Sequence, residues 1–201
     1  MPLIVVGGHS RSVGKTSVVA ELISALTAQR WTAVKITQFG HGICSVNGES
    51  CGCAVDEHTI SISEEQDRSA KTDTSRYLVA GAERALWVRA KQGRLAEAMP
   101  SLRRRISSAE NVIIESNSVV RFLRPDLYLS VLDPSKPDFK DSAREFLDRA
   151  DALLVHEHRL ASPAWKKVSL KPARGKPQFI IHPPPYVTAE IVAWIRERLQ
   201  L

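Results

Sequence analysis

Short apolar runs alternate along this 201-residue chain with longer segments in which apolar residues recur every three or four positions. A continuous apolar run, such as residues 3–6, is typical of a strand buried on both faces. The longer periodicity is typical of an amphipathic helix. The runs predict strands over residues 3–6, 31–36, 86–89, 111–114, 127–132, 152–155 and 178–181. The periodic segments predict helices over residues 17–30, 75–85, 95–108, 141–150 and 188–199.

The alternation of strands and helices predicts an α/β fold with a doubly wound, mainly parallel sheet in a three-layer α/β/α arrangement. We see no internal repeat or boundary, so we expect one domain over residues 1–201. A polar, Gly- and Cys-rich insertion at about residues 38–66, with a short strand around residues 58–62, interrupts the pattern. A connection of that length within a compact domain is usually functional or mobile. Ligands of such folds bind at the carboxyl ends of the strands.

The loop between the first strand and the first helix contains two separated glycines followed by lysine and threonine. It reads Gly8-x5-Gly14-Lys15-Thr16, one residue longer than the usual spacing. A strand, a glycine loop and a helix start are typical of a P-loop, whose amides and helix N-terminus bind phosphate. We expect Lys15 to reach the β- and γ-phosphates of a nucleotide and Thr16 to bind Mg²⁺; the alternative is a chance match in a loop. The expected nucleotide contacts are Gly8, Arg11, Ser12, Val13, Gly14, Lys15, Thr16 and Ser17.

Charged residues stand at the ends of two predicted strands. Glu115 follows an apolar strand, where a carboxylate is expected to hold Mg²⁺ directly or through water; otherwise it is a helix-capping or loop carboxylate. Lys35 closes the second strand and is a candidate for a second cation on a transferring phosphoryl group. The alternative for Lys35 is a surface lysine whose stem packs along the protein. Lys15, Lys35 and Glu115 are therefore candidate catalytic residues.

Asp73 is the fourth candidate catalytic residue. It precedes a predicted helix in a segment that should return to the site, where its carboxylate would orient a water or complete the metal shell. Arg76 would bind a phosphate there through two hydrogen bonds. The alternative is a structural one, because Thr72, Asp73 or Thr74 is also a normal N-cap.

All three cysteines of the chain fall within ten residues of the insertion. Cys44, Cys51 and Cys53, with His41 or His58 as a fourth ligand, match a Cys₃His zinc site. An iron–sulfur cluster is a rival interpretation. Free thiols in a flexible loop or a redox disulfide are the alternatives without a metal.

Three residues near the end of the chain are candidates for the pocket of the nucleotide base. His156 and His158 follow a predicted strand end and share a face, and Tyr186 follows three prolines after the last strand. A surface pair with His158 is the alternative for His156, and packing of a proline-rich loop is the alternative for Tyr186.

Charge and composition exclude several classes of protein. The formal charge is +6 and the pI about 9.4, but the basic residues are spread, and the run at residues 103–105 lies at a helix end that suits cations. We therefore do not expect nucleic-acid binding. No signal peptide or bilayer-length apolar run is present, so we expect no membrane contact. With three cysteines the chain is expected to be cytoplasmic.

Three motifs resemble those of dethiobiotin synthetase. The longer phosphate loop, with valine before its second glycine, is similar to those of this family and the cobyrinate amidases. V-K-x-x-Q-x-G at residues 34–40 resembles the dethiobiotin synthetase segment whose lysine is catalytic, although Ile36 replaces a proline. V-I-I-E at residues 112–115 resembles that family's metal-binding strand end, although Ser116 replaces a glycine.

A further segment is similar to the molybdopterin-guanine dinucleotide biosynthesis protein B family. K-T-D-T-S-R at residues 71–76 precedes A-G-A at residues 80–82 and an apolar strand. These families share the SIMIBI branch of P-loop NTPases, which dimerises and often uses a nucleotide to prepare a cofactor. The combined resemblance covers roughly residues 3–160. It implies a P-loop fold, a nucleotide with Mg²⁺, and a homodimer.

The leading hypothesis is an ATP or GTP hydrolase that acts in the assembly of a molybdopterin-type cofactor or a metal centre, with a possible partner protein. An ATP-dependent ligase acting on a small carboxylate, like dethiobiotin synthetase, is one alternative. A metal-binding adaptor that uses the nucleotide as a switch is the other. The chain has no Asn-Lys-x-Asp motif, so ATP and GTP both stay open.

Overall fold

One eight-stranded sheet organises the described part of the chain. The computed structural model describes residues 1–40, 59–158 and 162–201. The strands are β1 (Leu3–Gly8), β2 (Trp31–Phe39), β3 (Ile60–Glu64), β4 (Arg84–Lys91), β5 (Asn111–Glu115), β6 (Leu127–Leu132), β7 (Ala152–His156) and β8 (Gln178–Ile181). Their order across the sheet is β3-β4-β2-β5-β1-β6-β7-β8. All neighbours are parallel except β3, which pairs antiparallel with β4.

Helices cover both faces of this sheet. The α-helices are α1 (Lys15–Ala25), α2 (Asp73–Val79), α3 (Leu95–Ile106), α4 (Asp141–Glu145) and α5 (Ala189–Leu199). Short 3₁₀ helices cover Ser118–Arg121, Leu147–Arg149 and Lys171–Ala173. None of the helices in these described ranges is long and apolar enough to cross a membrane.

Alternate residues of β1 enter two separate apolar cores, one on each face of the sheet. Val5 belongs to the core that contains Leu102 of α3. Ile4 belongs to the core that contains Leu22 of α1 and Ile191 of α5. Since successive side chains of a strand point to opposite faces, the sheet lies between two layers of helices. The prediction of an α/β fold with a doubly wound, mainly parallel sheet is confirmed.

The connections bring several loops to the carboxyl edge of the sheet. From β1 the chain passes through α1 to β2, and from β5 it crosses to β6 on the other side of β1. The loops after β1, β5 and β6 therefore meet where the strand order changes direction, which is where ligands bind in this type of sheet.

Several element boundaries differ from the predicted ones. β2 and β4 pair along their whole length, up to Phe39 beside Lys91, so both strands are longer than their apolar runs. α2 begins at Asp73 rather than at residue 75, because Thr72 caps it: the Thr72 hydroxyl accepts the Ser75 amide (3.1 Å) and the Ser75 hydroxyl accepts the Thr72 amide (3.0 Å). The short strand predicted within the insertion corresponds to β3.

Candidate functional site

The loop between β1 and α1 has a backbone that requires glycine at one position. Gly14, the N-cap of α1, has φ of 89°, in the left-handed region that residues with a Cβ avoid. A Cβ built on Gly14 would lie 1.9 Å from Cε1 of Tyr186. Val13 is fully buried and fixes the loop to the core. The loop thus presents its backbone at the start of α1, where amides are free to bind an anion.

Asn117, which follows β5, holds the beginning of this loop. Its Oδ1 accepts the Gly8 amide at 2.8 Å and its Nδ2 donates to the Gly8 carbonyl at 2.9 Å. Both polar atoms of one side chain therefore fix the backbone at the carboxyl end of β1.

His9 fixes the loop from the other side. Asp133 donates its amide to His9 Nε2 at 3.0 Å, so this nitrogen carries no proton, and His9 Nδ1 donates to the Asp138 carbonyl at 2.7 Å. The ring is fully buried and lies 5.0 Å from the rings of Phe139 and Trp165. Burial lowers the pKa of His9 below its ordinary value. A neutral imidazole thus joins the loop after β1 to the segment after β6.

Lys15 carries a partly desolvated ammonium group. Its Nζ donates to the carbonyl of Ser10 at 2.7 Å and forms no ion pair within the described ranges. Burial lowers the pKa of Lys15 to about 8, against the opposing effect of the Glu115 carboxylate. An anion bound at the loop would give this cation the charged partner that it lacks.

Glu115 lies at the centre of the polar cluster and is 6% exposed. Its Oε2 accepts the Thr16 hydroxyl at 2.8 Å, and its Oε1 accepts Lys35 Nζ at 3.0 Å. Lys35 Nζ also lies 3.4 Å from Thr16 Oγ1. The residues that the sequence placed at two strand ends therefore meet at the first turn of α1.

Asp73 joins this cluster from α2. Its Oδ2 lies 2.6 Å from Lys35 Nζ, while its neighbour Thr72 provides the helix cap. Although burial disfavours the charge of Lys35, the carboxylates of Glu115 and Asp73 raise its pKa above the ordinary value. The cap and the site contact are thus supplied by two adjacent residues. Arg76, one turn further on, donates to the Ser17 hydroxyl at 3.0 Å.

Tyr77 is a member of the cluster that sequence reasoning missed. Its hydroxyl donates to Glu115 Oε2, and its side chain is fully buried. Burial, and next the Glu115 carboxylate, raise the pKa of Tyr77 well above its ordinary value, so the phenol stays protonated. A tyrosine at an apolar position of a helix is typical of the hydrophobic core, and nothing in the sequence distinguishes Tyr77 from an ordinary core residue.

The donor atoms of the cluster fit Mg²⁺. Thr16, Asp73 and Glu115 supply only hydroxyl and carboxylate oxygens, the hard ligands that this ion prefers. One oxygen from each of the three side chains faces the same point, and the ammonium of Lys35 lies at that point.

A cavity of about 1200 Å³ opens over the loop and extends beyond it. Its lining includes Arg11, Ser12 and Gly14 on one side, and Arg121 and Phe122 on the other. Lys140 also lines it. Burial, and next the Arg11 guanidinium, lower the pKa of Lys140. Neither Lys140, which precedes α4, nor Asn117, which follows β5, was singled out by sequence, because each lies in a polar segment without a recognisable motif.

His156 supports the loop and does not form a surface pair with His158. Its Nε2 donates to the Val13 carbonyl at 3.0 Å, and its ring lies 5.7 Å from that of Tyr186. Tyr186 is held by its own amide, which donates to Glu21 Oε2 at 2.7 Å. These two rings therefore line the side of the loop that faces β7 and β8.

The cysteine cluster cannot be placed in this geometry. Cys44, Cys51, Cys53, His41 and His58 all lie outside the described residues, so the zinc or iron–sulfur site stays a prediction. Within residues 1–40, 59–158 and 162–201, no group of three or more His, Cys, Asp or Glu side chains is arranged to hold a metal ion by itself.

The fold and the loop together define the class. A buried parallel strand leads into a glycine loop with Lys15 and Thr16, and the carboxylate at the end of a neighbouring strand contacts the first turn of the helix that follows. These features give the chain the P-loop NTPase fold. No protein-family model matches the chain, and no curated protein matches it in sequence.

Solved structures of P-loop proteins are similar to this chain at low identity. LpxK from Aquifex aeolicus, solved with ATP, is 20% identical with a TM-score of 0.46 over 90% of this chain, which spans about half (53%) of LpxK. HypB from Helicobacter pylori, solved with nickel, is 13% identical with a TM-score of 0.49, covering 98% of this chain and 86% of HypB. Bacillus subtilis MobB is 14% identical with a TM-score of 0.40, covering 98% of both chains.

Proposed function

We propose that this protein is a Mg²⁺-dependent nucleoside-triphosphate hydrolase. The observation that carries the proposal is the convergence of Lys15, Thr16, Lys35 and Glu115 on one cavity at the start of α1. A cationic lysine, a hydroxyl and a buried carboxylate in this arrangement suit a polyphosphate with a divalent cation.

The loop and the first turn of α1 bind the phosphates in this proposal. Amides from Ser12 to Thr16 and the helix N-terminus face the anion. Lys15 exchanges the Ser10 carbonyl for the β- and γ-phosphates. Arg11 adds a second positive charge, and the Ser17 hydroxyl, held by Arg76, completes the contacts.

Lys35 and Asp73 act on the terminal phosphoryl group. Lys35 stabilises the charge that develops on its oxygens, and Asp73 orients the attacking water or holds the metal shell. When bound at Thr16 and Glu115, Mg²⁺ neutralises phosphate charge. Tyr77 and Thr16 keep the Glu115 carboxylate in one orientation by donating to the same oxygen.

We assign the hydrolysis to the assembly of a molybdopterin-type cofactor or a metal centre. The support is the resemblance of residues 71–82 to the molybdopterin-guanine dinucleotide protein B family, which also suggests a homodimer and a partner protein. A metal on Cys44, Cys51 and Cys53 would suit the same role. His156 and Tyr186 are proposed to face the nucleotide base, and both ATP and GTP are candidate substrates.

Nucleotide titration and phosphate release test the proposal. Wild-type protein should bind ATP or GTP with Mg²⁺ and hydrolyse it slowly without any other substrate. Lys15→Ala should abolish tight binding, because the ammonium is the main cation on the phosphates. Undiminished binding by Lys15→Ala would remove the assignment of the site.

A phosphoryl-activating ligase is the second candidate. The observation that favours it is the extension of the cavity beyond the phosphate loop to Arg121 and Phe122, which leaves room for an acceptor. A small carboxylate would suit this space. Turnover that depends on an added carboxylate would favour the ligase, whereas substrate-free hydrolysis would favour the hydrolase.

A further inference from the structure

Three oxygen groups from three different elements surround the ammonium of Lys35. Asp73 Oδ2 lies 2.6 Å from Lys35 Nζ, Glu115 Oε1 lies at 3.0 Å, and Thr16 Oγ1 at 3.4 Å. The Lys35 side chain is 19% exposed and that of Glu115 is 7% exposed, so water screens their contact poorly, whereas Asp73 is 41% exposed. The lysine thus fills a point that is already lined by ligands suited to a small hard cation.

The orientation of Glu115 strengthens this interpretation. Its Oε2 is taken by two hydroxyls, those of Thr16 and Tyr77. In the described part of the chain, Lys35 alone donates to its Oε1. Because Thr16 gives its hydrogen to Glu115, a lone pair of its oxygen is left for a cation. Glu115 Oε1, Asp73 Oδ2 and a lone pair of Thr16 Oγ1 therefore face the same point.

The charges of the cluster favour exchange of one cation for another. Two carboxylates and one ammonium leave a net charge of −1, and without the ammonium the charge would be −2. A divalent cation and Lys35 need the same oxygens, and like charges a few ångströms apart repel strongly in a partly buried site. Nucleotide phosphates would offer Lys35 a different anionic partner.

We propose that Lys35 is a tethered competitor of the divalent cation for a site made of Thr16, Asp73 and Glu115. The ammonium and the metal exclude each other, and a phosphate-bearing ligand lets the metal in by drawing Lys35 away. Lys35 thereby makes metal binding conditional on the nucleotide. This inference deepens the proposed function, on whose metal site it rests.

Direct binding of Mn²⁺ to nucleotide-free protein tests the proposal. We expect Lys35→Met to bind Mn²⁺ at least about tenfold more tightly than the wild type, a change of about 1.4 kcal/mol. Replacing a residue of a binding site usually weakens binding, whereas Lys35→Met should increase the affinity for Mn²⁺. Calorimetry or the paramagnetic signal of free Mn²⁺ measures the affinity without any turnover.

Lys140→Met is the matched control. Lys140 lines the same cavity and its loss changes the charge equally, but among the described contacts its ammonium touches neither carboxylate. Its Mn²⁺ affinity should stay within about twofold of the wild type. Equal tightening in both variants, or no tightening in Lys35→Met, would overturn the proposal.

Two further variants keep the test decisive. Lys35→Met/Asp73→Asn, which restores the net charge of −1, should lose the gain in affinity. If Lys35→Met does not fold, Lys35→Gln takes its place, because its amide still donates a hydrogen bond to a carboxylate. Since no nucleotide is present, failure here is separate from failure of nucleotide binding, which Lys15→Ala reports.

Discussion

Asn117 binds the backbone of Gly8, 109 residues away in sequence, through both the oxygen and the nitrogen of its side-chain amide. The carbonyl oxygen accepts the Gly8 amide and the nitrogen donates to the Gly8 carbonyl. This pair of hydrogen bonds ties the end of β1 to the segment after β5, and so fixes the position from which the phosphate loop departs.

Removing these two hydrogen bonds should make the phosphate loop less rigid. We expect Asn117→Ala to lower the free energy of unfolding by about 1–3 kcal/mol, since two backbone groups lose their partner, and to weaken nucleotide binding about tenfold. Denaturant titration and nucleotide calorimetry measure the two effects. Ser142→Ala is the control, because its hydroxyl reaches Asn117 only at 3.5 Å; an equal loss of affinity there would argue against a specific role for Asn117.

Gly14→Ala should damage the site more than the backbone angle alone explains. The φ of 89° would cost about 1 kcal/mol in an alanine, and the new methyl would collide with Tyr186. Gly175→Ala provides the comparison, because Gly175 has φ of 80° with nothing within 4 Å of the built Cβ. The melting temperature of Gly14→Ala should be well below that of Gly175→Ala, and only Gly14→Ala should lose nucleotide binding. Equal effects would contradict the assigned contact.

His9 should make the protein less stable in mild acid. Burial lowers its pKa in the folded state, so below about pH 6.5 the unfolded chain binds more protons and unfolding is favoured as the pH falls. The expected loss is on the order of 1 kcal/mol between pH 7.5 and 5.5. His9→Gln should be less stable at pH 7.5 but lose less stability between the two values. Parallel pH profiles of wild type and variant would refute the assignment.

Lys15→Met should stabilise the protein in the absence of nucleotide. The buried ammonium, with a pKa of about 8, loses hydration that no ion pair replaces among the residues that the structure describes, and a thioether of similar length avoids that cost. We expect a gain of roughly 1–3 kcal/mol at pH 7. The rise in melting temperature that nucleotide gives to the wild type should disappear. A destabilised Lys15→Met protein would show that the ammonium is held more favourably than its burial implies.

Tyr77→Phe should separate metal binding from phosphate binding. Loss of the hydroxyl frees Glu115 to rotate, so we expect Mg²⁺ to support nucleotide binding about tenfold less well, while metal-free nucleotide binding is unchanged. Calorimetry with and without Mg²⁺ makes the comparison. Tyr128→Phe also removes a buried hydroxyl, one bonded to Asn117 at 3.3 Å, and should leave the Mg²⁺ dependence alone. An equal change in both variants would exclude a positioning role for Tyr77.

The sequence was sufficient for the fold and for the strand end at Glu115, whereas Lys35, which was predicted to close β2, lies four residues before the end of that strand at Phe39. An apolar run that stops at a charge, as at Glu115, identifies both a buried strand and the edge to which it leads. Lys35 and Glu115 are paired opposite each other in register on neighbouring strands, and so the same local pattern brought them together.

The contacts across layers could not be predicted in this way. Tyr77 occupies a helical position that an apolar residue would also fill, and its partner is 38 residues away. Asn117 and His9 act through backbone groups of remote segments, and no local spacing encodes such pairs. Likewise, nothing in the segment of His156 indicates the Val13 carbonyl beside it.

The antiparallel direction of β3 has a consequence for the insertion. At one end of the insertion, the Phe39 carbonyl accepts the Gln92 amide; at the other, the Thr59 carbonyl accepts the Lys91 amide. Had β3 been parallel, the chain would have had to travel to the far rim of the sheet before re-entering. Instead, the described residues on both sides of the insertion lie at the same edge of the sheet, with Gln38 and Ile60 each paired with Ala90 of β4. The two ends of the insertion are therefore held on either side of β4, at the edge where β2 ends.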